Sequence, residues 1–229
     1  MTIPALAVGL TAVSLGLGAP SAQAAGAANM KSPLFAGFAA LPGASATTAG
    51  VTFKVPTLSA CTATTTAVSS GAAIAFTGTP AKLWAAGIAM ECKSGKAVYE
   101  GVITIANVTT NLVAVKPGDT IVVTASLAAT KGSATFADGT HKFSKSGAGG
   151  KATYALDGMG AVPIATGSKT DFPIPNFGKL TYTGGTLNGK TPATAPGAAV
   201  DMVVGATTKI VTSALGTGGA TWTETWKHA

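Results

Sequence analysis

Lys116-Pro117-Gly118-Asp119, running into Thr120-Ile121-Val122-Val123-Thr124-Ala125-Ser126-Leu127, decides how this chain is read. Proline presets the backbone of a turn's second position and glycine tolerates its third, so the first four residues predict a tight turn. In the next eight, Ile121, Val123, Ala125 and Leu127 alternate with Thr120, Val122, Thr124 and Ser126, the period of a half-buried strand. Ser133-Ala134-Thr135-Phe136 and His141-Lys142-Phe143 flank Asp138-Gly139, which predicts a hairpin. Working outward, Val51–Val55, Ala72–Phe76, Trp84–Glu91, Ala97–Ala106, Lys179–Thr186 and Ala220–Trp226 show the same period, and no amphipathic helical window exceeds two turns after Val51. Short strands at this spacing predict an all-β sandwich or barrel.

The composition sets the class. The chain has 229 residues and a formal charge of +7, with only 10% charged residues and 47% hydrophobic ones. Disorder by charge is excluded, and the length suits one large β domain. Every basic side chain is Lys, so the Arg forks that carry most phosphate and base-edge recognition are missing and a nucleic-acid partner is not expected. Residues 3 to 18 are apolar, and Ala22-Gln23-Ala24 follows as a small-x-small cleavage site, so residues 1–24 are expected to be a secretory signal peptide. No Lys or Arg precedes the apolar run, which leaves open a true start upstream of Met1. No membrane span is expected after cleavage, and the protein is expected to be secreted, extracellular or associated with the cell wall, as a monomer. Residues 25–50, rich in Ala, Gly, Ser and Thr with little periodicity, are expected to be a flexible leader or linker, with a propeptide as the other reading; 51–229 then forms a single domain. In an oxidising compartment Cys61 and Cys92 are expected to pair, the other readings being free thiols or metal ligands.

The residues bear on several chemistries. Gly184-Gly185-Thr186-Leu187-Asn188-Gly189-Lys190-Thr191 fits the phosphate-loop string, but Pro192 and Pro196 forbid the helix it requires, so a glycine-rich hairpin turn is expected. A serine triad needs a positioned histidine; His228 is penultimate and His141 sits in the predicted hairpin without a nucleophile elbow. Two His, two paired Cys and five isolated Asp offer no metal centre, and neither metal nor cofactor is expected. Asn107-Val108-Thr109 is a glycan acceptor only in a eukaryotic host, and the Ala- and Gly-rich composition leans bacterial. In the last strand, alternation puts Trp222, Glu224 and Trp226 on one face, either as a sugar-stacking surface or as core.

Taken in order, Phe53-Lys54-Val55-Pro56-Thr57, Trp84-Ala85-Ala86-Gly87-Ile88, Gly95 to Tyr99, Val115-Lys116-Pro117-Gly118-Asp119-Thr120-Ile121, Pro175-Asn176-Phe177-Gly178-Lys179-Leu180-Thr181-Tyr182 and Gly219-Ala220-Thr221-Trp222-Thr223 resemble the eqolisins, the glutamic peptidases, and their bacterial relatives. The resemblance spans about Val51 to Trp226 and implies a concanavalin-like antiparallel two-sheet sandwich of the jelly-roll type. It also implies peptidase chemistry in which a Glu activates water and a Gln amide binds the developing oxyanion. The matching positions are Ala85 for the Gln and Thr153 for the Glu, and the sole glutamine of the chain is Gln23. Of the family's substrate-binding strand, Tyr99 and Glu100 keep the character.

These readings predict a secreted, non-catalytic sandwich that binds peptide, glycan or anionic wall polymer. The alternatives are an acid-active hydrolase with a relocated carboxylate, at Glu91, Glu100 or Asp157, and a lectin-like module built on Trp222, Glu224 and Trp226.

Overall fold

The computed structural model describes residues 28–40, 46–59, 61, 65, 67–76, 82–161 and 173–228; the expected signal peptide lies outside them. They form fifteen strands and no helix: β1 Met30–Ser32, β2 Phe35–Ala40, β3 Ala46–Lys54, β4 Val68–Phe76, β5 Lys82–Lys93, β6 Lys96–Ile105, β7 Val108–Ala114, β8 Thr120–Ala128, β9 Lys131–Ala137, β10 Lys142–Ala148, β11 Tyr154–Ala161, β12 Lys179–Leu187, β13 Gly197–Val204, β14 Thr207–Thr212 and β15 Trp222–Trp226. Hydrogen bonding runs in the order β10-β9-β8-β3-β12-β15-β14-β13-β2-β11-β4-β5-β6-β7, antiparallel throughout except where β1 joins β13 in parallel. The ribbon doubles over, so that β3 and β8 lie across β4, β9 across β5 and β6, and β12 across β11. Two layers facing each other across one apolar core make this a β-sandwich.

Local chemistry explains the element ends. In the Lys116–Asp119 turn Gly118 has φ +93°, the Asp119 amide donates to the Lys116 carbonyl at 3.1 Å, and the Lys116 amide donates to the Asp119 carboxylate at 3.0 Å. Asp138 accepts the amides of Thr140 and His141 at 2.9 and 2.6 Å and turns β9 into β10. The string from Gly184 to Thr191 is the end of β12 followed by a tight turn: Asn188 and Gly189 take φ +56° and +72°, and Leu187 and Lys190 exchange backbone hydrogen bonds of 2.8 and 3.1 Å. Asn176 Oδ1 accepts the Gly178 amide at 2.9 Å, with Gly178 at φ +64°, so Asn-Phe-Gly is the turn that launches β12.

The expected leader is corrected here. Residues 25–50 include β1, β2 and the first half of β3, and all six residues of Phe35–Ala40 are buried. The strand lies between β11 and β13 with both faces covered, so it lacks the two-residue period by which one-sided strands are recognised. Cys61 and Cys92 form a disulfide, as expected, closing a separation of 31 residues.

The core is filled by few large side chains. Trp84, Ile88, Met90, Phe136, Tyr182 and Trp222 are nearly or wholly buried, and Trp222 stacks on Tyr182 with centroids 4.9 Å apart and meets Phe38 edge-on at 5.1 Å. Offset ring pairs of this kind add about 1 kcal/mol each beyond the area they bury.

Candidate functional site

Strand alternation and register separate the two faces of the β2-β11-β4-β5-β6 layer. Along β5, Trp84, Ala86, Ile88, Met90 and Cys92 enter the core, so Leu83, Ala85, Gly87, Ala89 and Glu91 face away from the partner sheet. Pairing carries this outer face to Thr104, Val102, Glu100 and Val98 on β6, to Ala75, Ala73, Gly71 and Ser69 on β4, and to Tyr154, Leu156, Gly158 and Gly160 on β11. The outer face is therefore a continuous surface with three zones.

Across its middle, Gly37, Gly158, Gly71 and Gly87 stand in register on four adjacent strands. Bare backbone thus spans three interstrand steps, about 14 Å. A Cβ on Gly71 would lie 2.1 Å from the Ala86 carbonyl oxygen and one on Gly87 2.2 Å from that of Ser70, so only glycine permits this close pairing of β4 and β5. On one side of the row Ala39, Ala75, Leu83 and Leu156 form a buried apolar cluster against which Ala73, Ala85 and Tyr154 pack, and the cluster continues through Val200, opposite Gly37, to Phe35 beyond the row. On the other is a shallow depression lined by Glu91, Glu100 and Asn111 with Ala67, Ala89, Val98 and Val102. There Glu100 is held above the ordinary carboxylate range, first by partial burial and further by the neighbouring Glu91 charge, while a hydrogen bond with Asn111 acts the other way.

The residues singled out from the sequence are distributed unevenly over this geometry. Ala85 lies on the outer face, and Glu91 and Glu100 meet in one depression. Thr153 precedes β11, its amide donating to the Ala75 carbonyl at 2.7 Å; the β11 residue level with Ala85 is Leu156, through Ala73. Asp157 points the other way, wholly buried between the sheets, which removes it as a cleft carboxylate. Tyr99 is turned inward: its hydroxyl accepts the Leu58 amide at 2.7 Å and its ring packs on the core. Trp222 and Glu224 are buried and Trp226 packs against the core, so the sugar-stacking surface does not form, because the partner sheet covers that face of β15. His141 Nδ1 lies 3.1 Å from Asp138 Oδ2 on the surface, and His228 is exposed. Among the described residues no group of three or more His, Cys, Asp and Glu could hold a metal ion, and no helix is long and apolar enough to cross a membrane.

The Peptidase A4 model matches residues 34–225. This chain belongs to the Peptidase A4 family. The search of curated proteins returns no match. Among solved structures, the A4 chain is similar to scytalido-glutamic peptidase crystallised with a transition state analog inhibitor, with a TM-score of 0.65 at 18% identity, covering 85% of this chain and 98% of that one. It is similar also to SCP-B, a member of the eqolisin family of peptidases solved with the tripeptide Ala-Ile-His, with a TM-score of 0.64 at 17% identity over 85% and 100% of the two chains. At such identities the likeness establishes a shared fold, in agreement with the resemblance seen in the sequence.

Nothing local in the sequence marks Asn111, the alignment of Leu156 with Ala85, or the glycine row. The last was visible as spaced glycines at 37, 71, 87 and 158, but only strand pairing puts them in one line.

Proposed function

We propose that this A4-family protein is a secreted binding protein that captures extended peptide segments on the outer face of the β2-β11-β4-β5-β6 layer without cleaving them. The observation that carries this reading is the face itself. Ala85, at the position that matches the family's glutamine, offers no side-chain amide, and the half-buried Ser69, Gly71, Ala73 and Ala89 around it leave a neutral strip of small residues bordered by the buried apolar cluster. Such a surface provides shape and apolar contact for a chain while supplying no oxyanion donor there. Scytalido-glutamic peptidase was solved with a peptide based transition state analog and SCP-B with a tripeptide, which supports the ligand class. A disulfide suits an oxidising compartment, and the net charge of +7 favours loose, salt-sensitive attachment to anionic wall polymers.

The Glu91–Glu100–Asn111 depression favours a second reading. Two adjacent carboxyls, one with a raised pKa, beside an amide are the groups an acid hydrolase would use as base and electrophile. One experiment separates the two. Purified, folded protein is incubated with an acid-denatured protein and with a library of short peptides from about pH 2 to 8, following both cleavage and retention. Retention without cleavage supports the binding reading. Cleavage that disappears in Glu100→Gln establishes the hydrolase and sinks it.

A further inference from the structure

Between the sheets lie two buried acids that the outer face does not use. Asp157 on β11 and Glu224 on β15 come from opposite layers, and both are wholly buried. Neither oxygen of Asp157 has a hydrogen-bond partner; the amides of Gly50 on β3 and Thr186 on β12 exert a favourable pull on it without forming a bond of good geometry. Glu224 accepts the Tyr182 hydroxyl at 3.2 Å and the Trp222 indole at 3.4 Å, helped by the Met159 amide, and Tyr182 in turn shares a 2.8 Å hydrogen bond with Ser70 on β4. Glu224 Oε1 sits against Gly37 on β2 and Gly158 on β11, where a Cβ would come within 3.0 and 2.7 Å of it. Thr212 stands opposite Glu224 on β14. Of the groups acting on the two carboxyls none is a cation, and Lys209 of β14, also buried, is not among them. Tyr182 is the other titratable group in the cluster, and burial together with Glu224 keeps its phenol protonated.

An isolated carboxylate in such a place would forfeit its hydration with no countercharge in return, and a buried acid escapes that cost by keeping its proton. Burial accordingly raises both pKa values, and the few donors offset it only in part. We propose that Asp157 and Glu224 form a proton-dependent latch between the two sheets, carried as neutral acids in the folded protein, so that the sandwich holds in acid and loosens as they ionise. The direction follows from linkage. In the unfolded chain both groups titrate near pH 4, so above that the folded state binds more protons than the unfolded one. The stability is complete below the unfolded pKa values and is lost as pH rises toward the folded ones. Through that interval the unfolding equilibrium constant grows about tenfold per pH unit for each carboxyl, about a hundredfold for both.

The test is urea unfolding of the disulfide-bonded protein, followed by tryptophan fluorescence from pH 3 to 8, for the wild type, Asp157→Asn and Glu224→Gln. The expected result is a wild-type midpoint that falls above about pH 4 and a slope reduced in each variant by about tenfold per pH unit. A wild-type profile that is flat or rises with pH overturns the proposal, as do variants that keep the wild-type slope. If a variant fails to fold, the infrared spectrum of the folded wild type near pH 6 decides. A protonated carboxylic C=O band supports the latch, and carboxylate bands alone refute it.

Discussion

Gly71→Ala isolates the steric demand of the glycine row, because Gly71 is not among the residues with positive φ and so carries no left-handed penalty. The new methyl would stand 2.1 Å from the Ala86 carbonyl oxygen and 2.7 Å from Gly87 Cα, both backbone atoms that cannot rotate away. Bringing the first contact to a tolerable 3 Å or more requires β4 and β5 to part by about 1 Å, which strains or breaks the ladder hydrogen bonds on either side. Two such bonds at about 1 kcal/mol each, with overpacking of about 1–3 kcal/mol, are opposed by under about 1 kcal/mol from removing glycine's excess unfolded-state freedom. The expected net loss is about 3 kcal/mol, read as a lower urea midpoint with an unchanged m-value. Gly189→Ala is the complement: φ is +72° but nothing lies within 4 Å of the new Cβ, so it should cost only the left-handed preference, about 1 kcal/mol. If Gly71→Ala cost no more than Gly189→Ala, or stabilised the protein, the close pairing of β4 and β5 would be refuted as the reason for glycine there.

Reducing the Cys61–Cys92 bridge should lower stability by about 3–4 kcal/mol, as the 31-residue separation implies on the chain-entropy model; unfolding with and without reductant measures it. Trp222→Ala should cost about 3–5 kcal/mol through the lost stack on Tyr182, and glycans should leave the fluorescence of the wild type unchanged because that indole is buried. Tyr182→Phe deprives buried Ser70 and Glu224 of a partner and should cost about 1–3 kcal/mol by urea unfolding, a loss absent if solvent replaces the phenol.

Much of the fold was legible because its signals are local. A strand with one covered face must alternate, which is why Thr120–Leu127 was found nearly to its ends, and turns need particular residues, which is why Lys116–Asp119 and Asp138-Gly139 were legible as turns. The cysteine pair was legible from its even number together with the export that the apolar N-terminal stretch predicts. Phe35–Ala40 was missed for the converse reason: buried on both faces, it is a run of small and aromatic residues whose composition matches a linker. The alternation of Trp222, Glu224 and Trp226 was read correctly as one face, but which side that face meets depends on a partner sheet contributed by strands far away in the chain. The same holds for Asp157 and Glu224, separated by 67 positions in sequence and each buried only by sheet-on-sheet packing. By itself the sequence determined the alternating strands such as Thr120–Leu127, the turns at Lys116–Asp119 and Asp138-Gly139, the expectation of a Cys61–Cys92 bridge and the lack of a glutamine from residue 24 onward, since each is a property of neighbouring residues or of a count, whereas β1, β2, β7, β11, β13 and β14 were not legible. Only the tertiary structure decided which glycines line up, which carboxyls reach solvent and which lose it, because strand pairing and desolvation are set by residues that the chain brings together from a distance.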